Sequence, residues 1–196
     1  MMSRLTQAER TEATTLRILD ATVECLVELG YSRTSTLVVH ERAGVSRGAL
    51  LHHFPSRAEL MAAAVEHMFE HLQDSIDIPA GRRGNPVETA VKILWSTFTS
   101  NLGVAAQELL TAARTDAELR TVLVRHEAGL NRRIYAMFDR VFGPELVARP
   151  LYDTTFRILT QAMRGAAAER ALHPDASTRP DLARWVDVAS RLLAVS

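Results

Sequence analysis

Four consecutive residues, Ser46-Arg47-Gly48-Ala49, carry the most specific chemistry in this 196-residue chain. An arginine guanidinium presents two parallel N–H donors that match the O6 and N7 acceptors of guanine. The glycine and alanine beside it are small and let a helix backbone come close to a base edge. Ser46 is a residue type that caps a helix start. His52 lies further along the exposed side. This set can read the major-groove edges of double-stranded DNA, provided a short helix presents it.

The neighbouring residues supply such a helix. Ser35 opens a segment read as Thr36–Ala43, and Ser46 opens one read as Arg47–His53. Two helices of about two turns each are too short to be stable alone. Val39 and Ala43 form the inner face of the first. Val45, Leu50 and Phe54 anchor the second. Gly44 between them can take a positive φ, which a tight turn requires. Short helix, glycine turn, short helix is the helix-turn-helix plan, whose second helix enters the major groove. Thr36 and Arg57 stand at helix starts, where phosphate contacts are made.

Charge agrees locally and is silent globally. The formal net charge is zero. Between Arg33 and Arg57 stand four arginines (Arg33, Arg42, Arg47, Arg57) and one acid, Glu41, a local charge of +3 before the histidines. A short basic patch on a neutral protein suits a regulator that must release its DNA.

The segment Thr14–Leu60 resembles the N-terminal domain of the tetracycline-repressor (TetR) family. It carries Gly-aromatic at Gly30-Tyr31, then Thr/Ser capping residues, then Ala43-Gly44-Val45-Ser46-Arg47-Gly48-Ala49-Leu50, and then His53-Phe54 before a Ser/Arg helix start. The resemblance implies that Ser35 and Thr36 cap and touch phosphate, that Arg47, Gly48 and Ala49 face bases, and that His53 and Arg57 face the DNA backbone. Two residues depart from the family pattern. Leu51 stands where tyrosine is usual and can keep an apolar contact but no hydroxyl bond. His40 stands where a packed alanine is usual.

The rest of the chain reads as helix almost throughout, so the fold class is all-α with about nine helices. The expected spans are Gln7–Leu29, Thr36–Ala43, Arg47–His53, Arg57–Ile78, Pro86–Asn101, Val104–Arg114, Asp116–Phe142, Glu145–Leu172 and Arg179–Ala194. Thr6, Ser56 and Thr115, each followed three residues later by glutamate, read as capping boxes. Pro79 to Pro86 is the one linker. Residues 1–56 are expected to form the helix-turn-helix domain, and residues 57–196 a larger effector-binding and dimerisation domain.

Helix eight shows two apolar sides, and a helix apolar on two sides is buried on two sides. Leu151, Thr155, Ile158, Ala162 and Gly165 make a small-residue face. Tyr152, Phe156, Leu159, Met163 and Ala167 make a bulkier one. Helix nine adds Leu182, Trp185, Val186, Ala189 and Leu193. Two such helices from each of two chains build a four-helix interface, which implies a homodimer on palindromic operator DNA. A small apolar organic effector is expected among helices four to eight. Its candidate wall is Met68, Trp95, Phe98, Leu109, Tyr135, Phe138 and Phe156, with His126 as the polar anchor and Arg114 as a weaker candidate.

Other chemistries find little support. Cys25 is the single cysteine, so no intrachain disulfide or cysteine zinc site can form. His126-Glu127 lacks the second histidine of a zinc-protease helix. His67 and His71 are four apart but have no third ligand, and read as a solvated face. No phosphate loop, dinucleotide glycine signature or nucleophile elbow is present, so no enzyme and no cofactor are expected. No signal peptide and no run of about 20 apolar residues is found, so the expected location is the cytoplasm, away from membranes. The alternative is a helical small-molecule carrier or adaptor with a non-functional DNA-binding head. Arg47 together with Arg57 argues for the regulator.

Overall fold

The computed structural model describes residues 6–75, 84–170 and 181–195, all in helices, caps and turns with no strand among them. The helices are α1 (Gln7–Leu29), α2 (Thr36–Ala43), α3 (Arg47–His53), α4 (Arg57–Ser75), α5 (Pro86–Phe98), α6 (Asn101–Ala112), α7 (Ala117–Phe142), α8 (Pro144–Val147), α9 (Tyr152–Glu169) and α10 (Leu182–Leu193). The ends expected at Ile78, Leu172 and Arg179, and most of the Pro79–Pro86 linker, lie outside the described residues.

Local sequence explains most of the boundaries. Thr6 and Glu9 close a full capping box: each side chain accepts the other's backbone N–H, at 3.2 and 2.6 Å. Ser35 accepts from Val38 N–H, Ser46 from Ala49 N–H, and Ser56 from Glu59 N–H. Gly44 sits at φ 63°, ψ 38°. A Cβ there would meet nothing, so the backbone angle and not crowding requires glycine. α3 stops at His53 because Phe54 precedes Pro55, which forces Phe54 into an extended conformation.

Several boundaries differ from the sequence reading, among them the end of α5 at Phe98 where Asn101 was expected. The cap of α7 is Asp116, whose carboxylate accepts from Leu119 N–H at 2.9 Å, and not Thr115. Helix eight is two helices, α8 and α9. Pro150 has no N–H to continue the ladder and disfavours helical geometry at Arg149, so the chain turns before Tyr152. α6 begins at Asn101, ahead of the expected Val104. Gly103 lies against the Phe98 backbone, where a Cβ would come within 2.3 Å of the carbonyl oxygen.

The chain forms two compact units, Met1–His71 with Val104–Glu127, and Leu72–Gly103 with Ala128–Ser196. In the first, α1 packs on α2 and α2 on α3. Ile18, Cys25, Leu26, Val39, Leu50, Leu60 and Met61 are fully buried there. In the second, α5, α9 and α10 pack on one another. Phe138 and Phe142 from α7 meet Tyr152 and Phe156 from α9, with ring centroids 4.9 to 6.4 Å apart.

Candidate nucleic-acid interface

α3 buries Leu50 completely and turns its other side outward. Arg47, Gly48, Leu51 and His52 are exposed, Ala49 is half-buried, and Ser46 caps the start. Arg47, Gly48 and Leu51 are spaced i, i+1, i+4 and share one face of the helix. A Cβ at Gly48 would meet no atom of the described residues within 4 Å, so none of them fills the space beside its backbone. Arg47 has no intramolecular partner among the described residues. The result is an open, mostly small-residue helix face with a single long donor, which fits a groove lined by base edges.

The other arginines of the local basic patch are engaged within the unit. Arg42 pairs with Glu28 at 2.6 Å and lies 3.8 Å from Glu24. Arg33 Nε donates to Leu29 carbonyl at 2.9 Å. Arg57, expected at phosphate, is turned inward. Its Nε donates to Thr34 carbonyl at 2.7 Å, its Nη2 donates to Tyr31 carbonyl, and its guanidinium lies 3.9 Å from the Tyr31 ring centroid. Arg57 thus ties the start of α4 to the α1–α2 connection. His53, also expected at the backbone, has Nδ1 held 3.2 Å from Thr15 Oγ1 on α1, which fixes its ring. Ser35 and Thr36 are half-buried at the start of α2. His40 is half-buried, and its carbonyl accepts from Gly44 and Val45 N–H groups.

Tyr31 is the residue sequence reasoning passed over. Its backbone N–H donates to Glu108 Oε2 at 2.8 Å and its hydroxyl to Asp116 Oδ2 at 2.7 Å. Burial first, and then the hydrogen bond to Asp116, push the phenol up to about 12. The Leu119 N–H first, and then the Tyr31 hydroxyl, hold the Asp116 carboxyl below its ordinary range. An open cleft of about 440 Å³ borders this network, lined in part by Ser32, Thr111 and Arg114. The Gly-Tyr pair was legible as a helix end, but partners 77 and 85 residues away were not.

Known proteins agree with this geometry. The sequence pattern of the bacterial regulatory proteins of the tetR family matches residues 18–64. The uncharacterized HTH-type transcriptional regulator Rv2912c of Mycobacterium tuberculosis is 30% identical over 174 residues, covering 86% of this chain and 88% of that protein. This chain belongs to the TetR family of transcriptional regulators. The HTH-type transcriptional repressor KstR of Rhodococcus jostii is 36% identical over 101 residues, 52% of this chain and 45% of KstR. The crystal structure of the multidrug binding protein EbrR complexed with ethidium shares the fold. Its TM-score is 0.64 at 20% identity, with 93% of this chain and 99% of that chain covered.

As a TetR-family regulator the chain is not an enzyme, and α2 and α3 lie within the residues that the family pattern matches. No helix among the described residues is long and apolar enough to cross a membrane. No group of three His, Cys, Asp or Glu side chains suited to a metal occurs among them. His67 is not on a solvated face as expected: it is 8% exposed, lies 3.1 Å from Asp20 Oδ1, and meets the edge of the His71 ring.

The residues expected at an effector wall divide between the units. Met68, Leu109 and His126 belong to the first. His126 is spoken for: Nδ1 lies 3.1 Å from Glu66 and Nε2 3.6 Å from Glu59, both on α4. Trp95, Phe98, Tyr135, Phe138 and Phe156 belong to the second unit. Phe138 and Phe156 are packed in the ring cluster at 2% exposure. Tyr135 stacks edge-on against Phe156 and donates to Asp153 at 2.9 Å. The Arg170 and Arg164 guanidiniums lie over Trp95 and Phe98, at 5.9 and 5.5 Å from the ring centroids.

The residues expected at a dimer face sort by burial. On α9 the bulky stripe Tyr152, Phe156, Leu159 and Met163 is buried. Ile158 and Gly165 are exposed, and Leu151 and Ala162 are half-buried. Thr155 belongs to the inner side: it is 1% exposed, and its hydroxyl has no hydrogen-bond partner among the described residues. On α10, Ala189 and Leu193 are buried within their own unit, so they do not form an outward face; Leu182 and Val186 are half-buried. The outward apolar residues are instead half-buried Trp185 and Leu192 with exposed Val188 and Val195. Trp185, Val188 and Leu192, spaced i, i+3, i+7, share one side of the helix, and Val195 follows its end.

Proposed function

We propose that this regulator is a ligand-responsive repressor that binds palindromic operator DNA as a homodimer and is released by a small apolar organic effector. The open α3 face carries the reading. Arg47 supplies a bidentate guanine contact, and Gly48 and Ala49 allow close approach. Ser35, Thr36, Ser46, His52 and His53 supply the surrounding polar contacts. Residues 1–56 act as the DNA-binding domain and residues 57–196 as the effector and dimerisation domain. Repression is the sign named for KstR, and ligand response agrees with a family whose fold also serves the ethidium-bound EbrR. The dimer forms through the outward side of α9 and α10, with Ile158, Ala162 and Gly165 facing Trp185, Val188 and Leu192. A cytoplasmic location follows from work on DNA.

The test is binding and sedimentation together. The full chain is expected to enrich an inverted repeat from random duplex DNA and to sediment as a dimer at micromolar concentration. Ile158→Glu with Val188→Glu is expected to give folded monomers with weak operator binding. A wild-type monomer that enriches no sequence sinks the proposal. An effector is recognised when a compound lowers operator affinity by about 5–150-fold, the range of ordinary coupling energies.

A further inference from the structure

We infer that Leu37 and Leu51 read the C5-methyl groups of thymines, so that each operator half-site is specified by apolar contacts as well as by the Arg47 contact. The inference rests on the operator-binding reading above and deepens it. Leu37 is 54% exposed and Leu51 40%, whereas Leu50 beside it is fully buried. An exposed leucine alone is ordinary. These two are set apart by where they stand. Leu51 shares the outward face of α3 with Arg47 and Gly48. Leu37 is the second residue of α2, directly after Ser35 and Thr36.

The chemistry of that surface leaves little else to carry specificity. Three of the four arginines in the basic segment are tied to groups of their own unit. With Arg47 committed to a guanine, phosphate contacts from this segment fall mainly to neutral donors, and neither they nor the Arg47 contact distinguish A·T from T·A. In the major groove the thymine methyl is the apolar group that a leucine can cover. A leucine over a cytosine or adenine at that position covers a polar edge and gains nothing.

The experiment selects sites from random duplex DNA with the full-length protein. In the best site each thymine is then replaced by 2′-deoxyuridine, which removes only the methyl, one symmetric pair at a time. Affinity is measured by fluorescence anisotropy at fixed salt. Two symmetric positions are expected to lose about three- to fivefold per methyl, the scale of one buried methylene-sized group. Leu51→Ala is expected to abolish the loss at one position and Leu37→Ala at the other, with melting temperatures unchanged because both side chains are exposed. Arg47→Ala is expected to leave both losses intact. If every uracil substitution is neutral, or if both leucine variants keep full methyl sensitivity, the inference is overturned while operator binding stands. If one leucine variant alone removes a loss, the other leucine has no reading role. A protein that enriches no site overturns both readings.

Discussion

The helix-turn-helix end and the ring cluster of α7 and α9 are held together by different means. Around α2 and α3 the helices are eight and seven residues long and bury only Val39, Ala43 and Leu50. Directional bonds hold what burial cannot: serine caps, the Arg42–Glu28 pair, and Arg57 across Tyr31 and Thr34. In the second unit Phe138, Phe142, Tyr152 and Phe156 are each at most 7% exposed and are held by contact area and ring geometry. A helix that must offer one face to a ligand gives up burial on that face. Polar clamps then supply the rigidity, and they engage Arg33, Arg42 and Arg57 within the unit.

The sharpest way to break this contrast is Phe156→Ala. It empties the centre of the ring cluster and is expected to cost about 3–5 kcal/mol in denaturant unfolding. A cost near zero would mean that packing does not hold the second unit. Next comes Arg57→Ala, which removes two carbonyl-directed bonds and a ring contact. We expect a loss of about 2–3 kcal/mol and faster hydrogen exchange in α2 and α3. The salt slope of DNA binding should stay the same. A slope flatter by about one unit with unchanged stability would return Arg57 to a phosphate. Arg57→Lys should not rescue the clamp, because an ammonium lacks the planar fork.

Arg47→Ala tests the other side of the contrast. It is expected to leave melting unchanged and to cost about 1–3 kcal/mol of specific binding, with relaxed preference at one base pair per half-site. Equal losses on every base variant would deny it a base. The smallest effect is electrostatic. The folded protein lowers the Asp116 carboxyl, so the stability it contributes is present above the ordinary value of 3.8 and is lost as pH falls below it. Tyr31 is raised to about 12, so its contribution is complete below 10 and is lost between 10 and 12. Acid and alkaline melting curves of Tyr31→Phe should lose both dependences in part. Asp116→Asn should lose the acid one more fully, since it also weakens the Leu119 cap.

The sequence by itself determined the local features. The helical class, the spans of α1, α2 and α3, the caps at Thr6, Ser35 and Ser46, and the left-handed Gly44 all follow from neighbours within four residues. The face holding Arg47, Gly48 and Leu51 follows in the same way. Each depends on backbone angles, cap chemistry and the helical repeat, which one sequence carries in full. Only the tertiary structure decided what distant groups do to one another. It tied Arg57 to Tyr31, paired Arg42 with Glu28, set both His126 nitrogens against α4 carboxylates, and tied Tyr31 to Glu108 and Asp116. It also buried Ala189 and Leu193 and left Trp185, Val188 and Leu192 on the outer side of α10. A side chain's charge or apolar area is fixed by its type, but the partner that uses it is fixed by the fold.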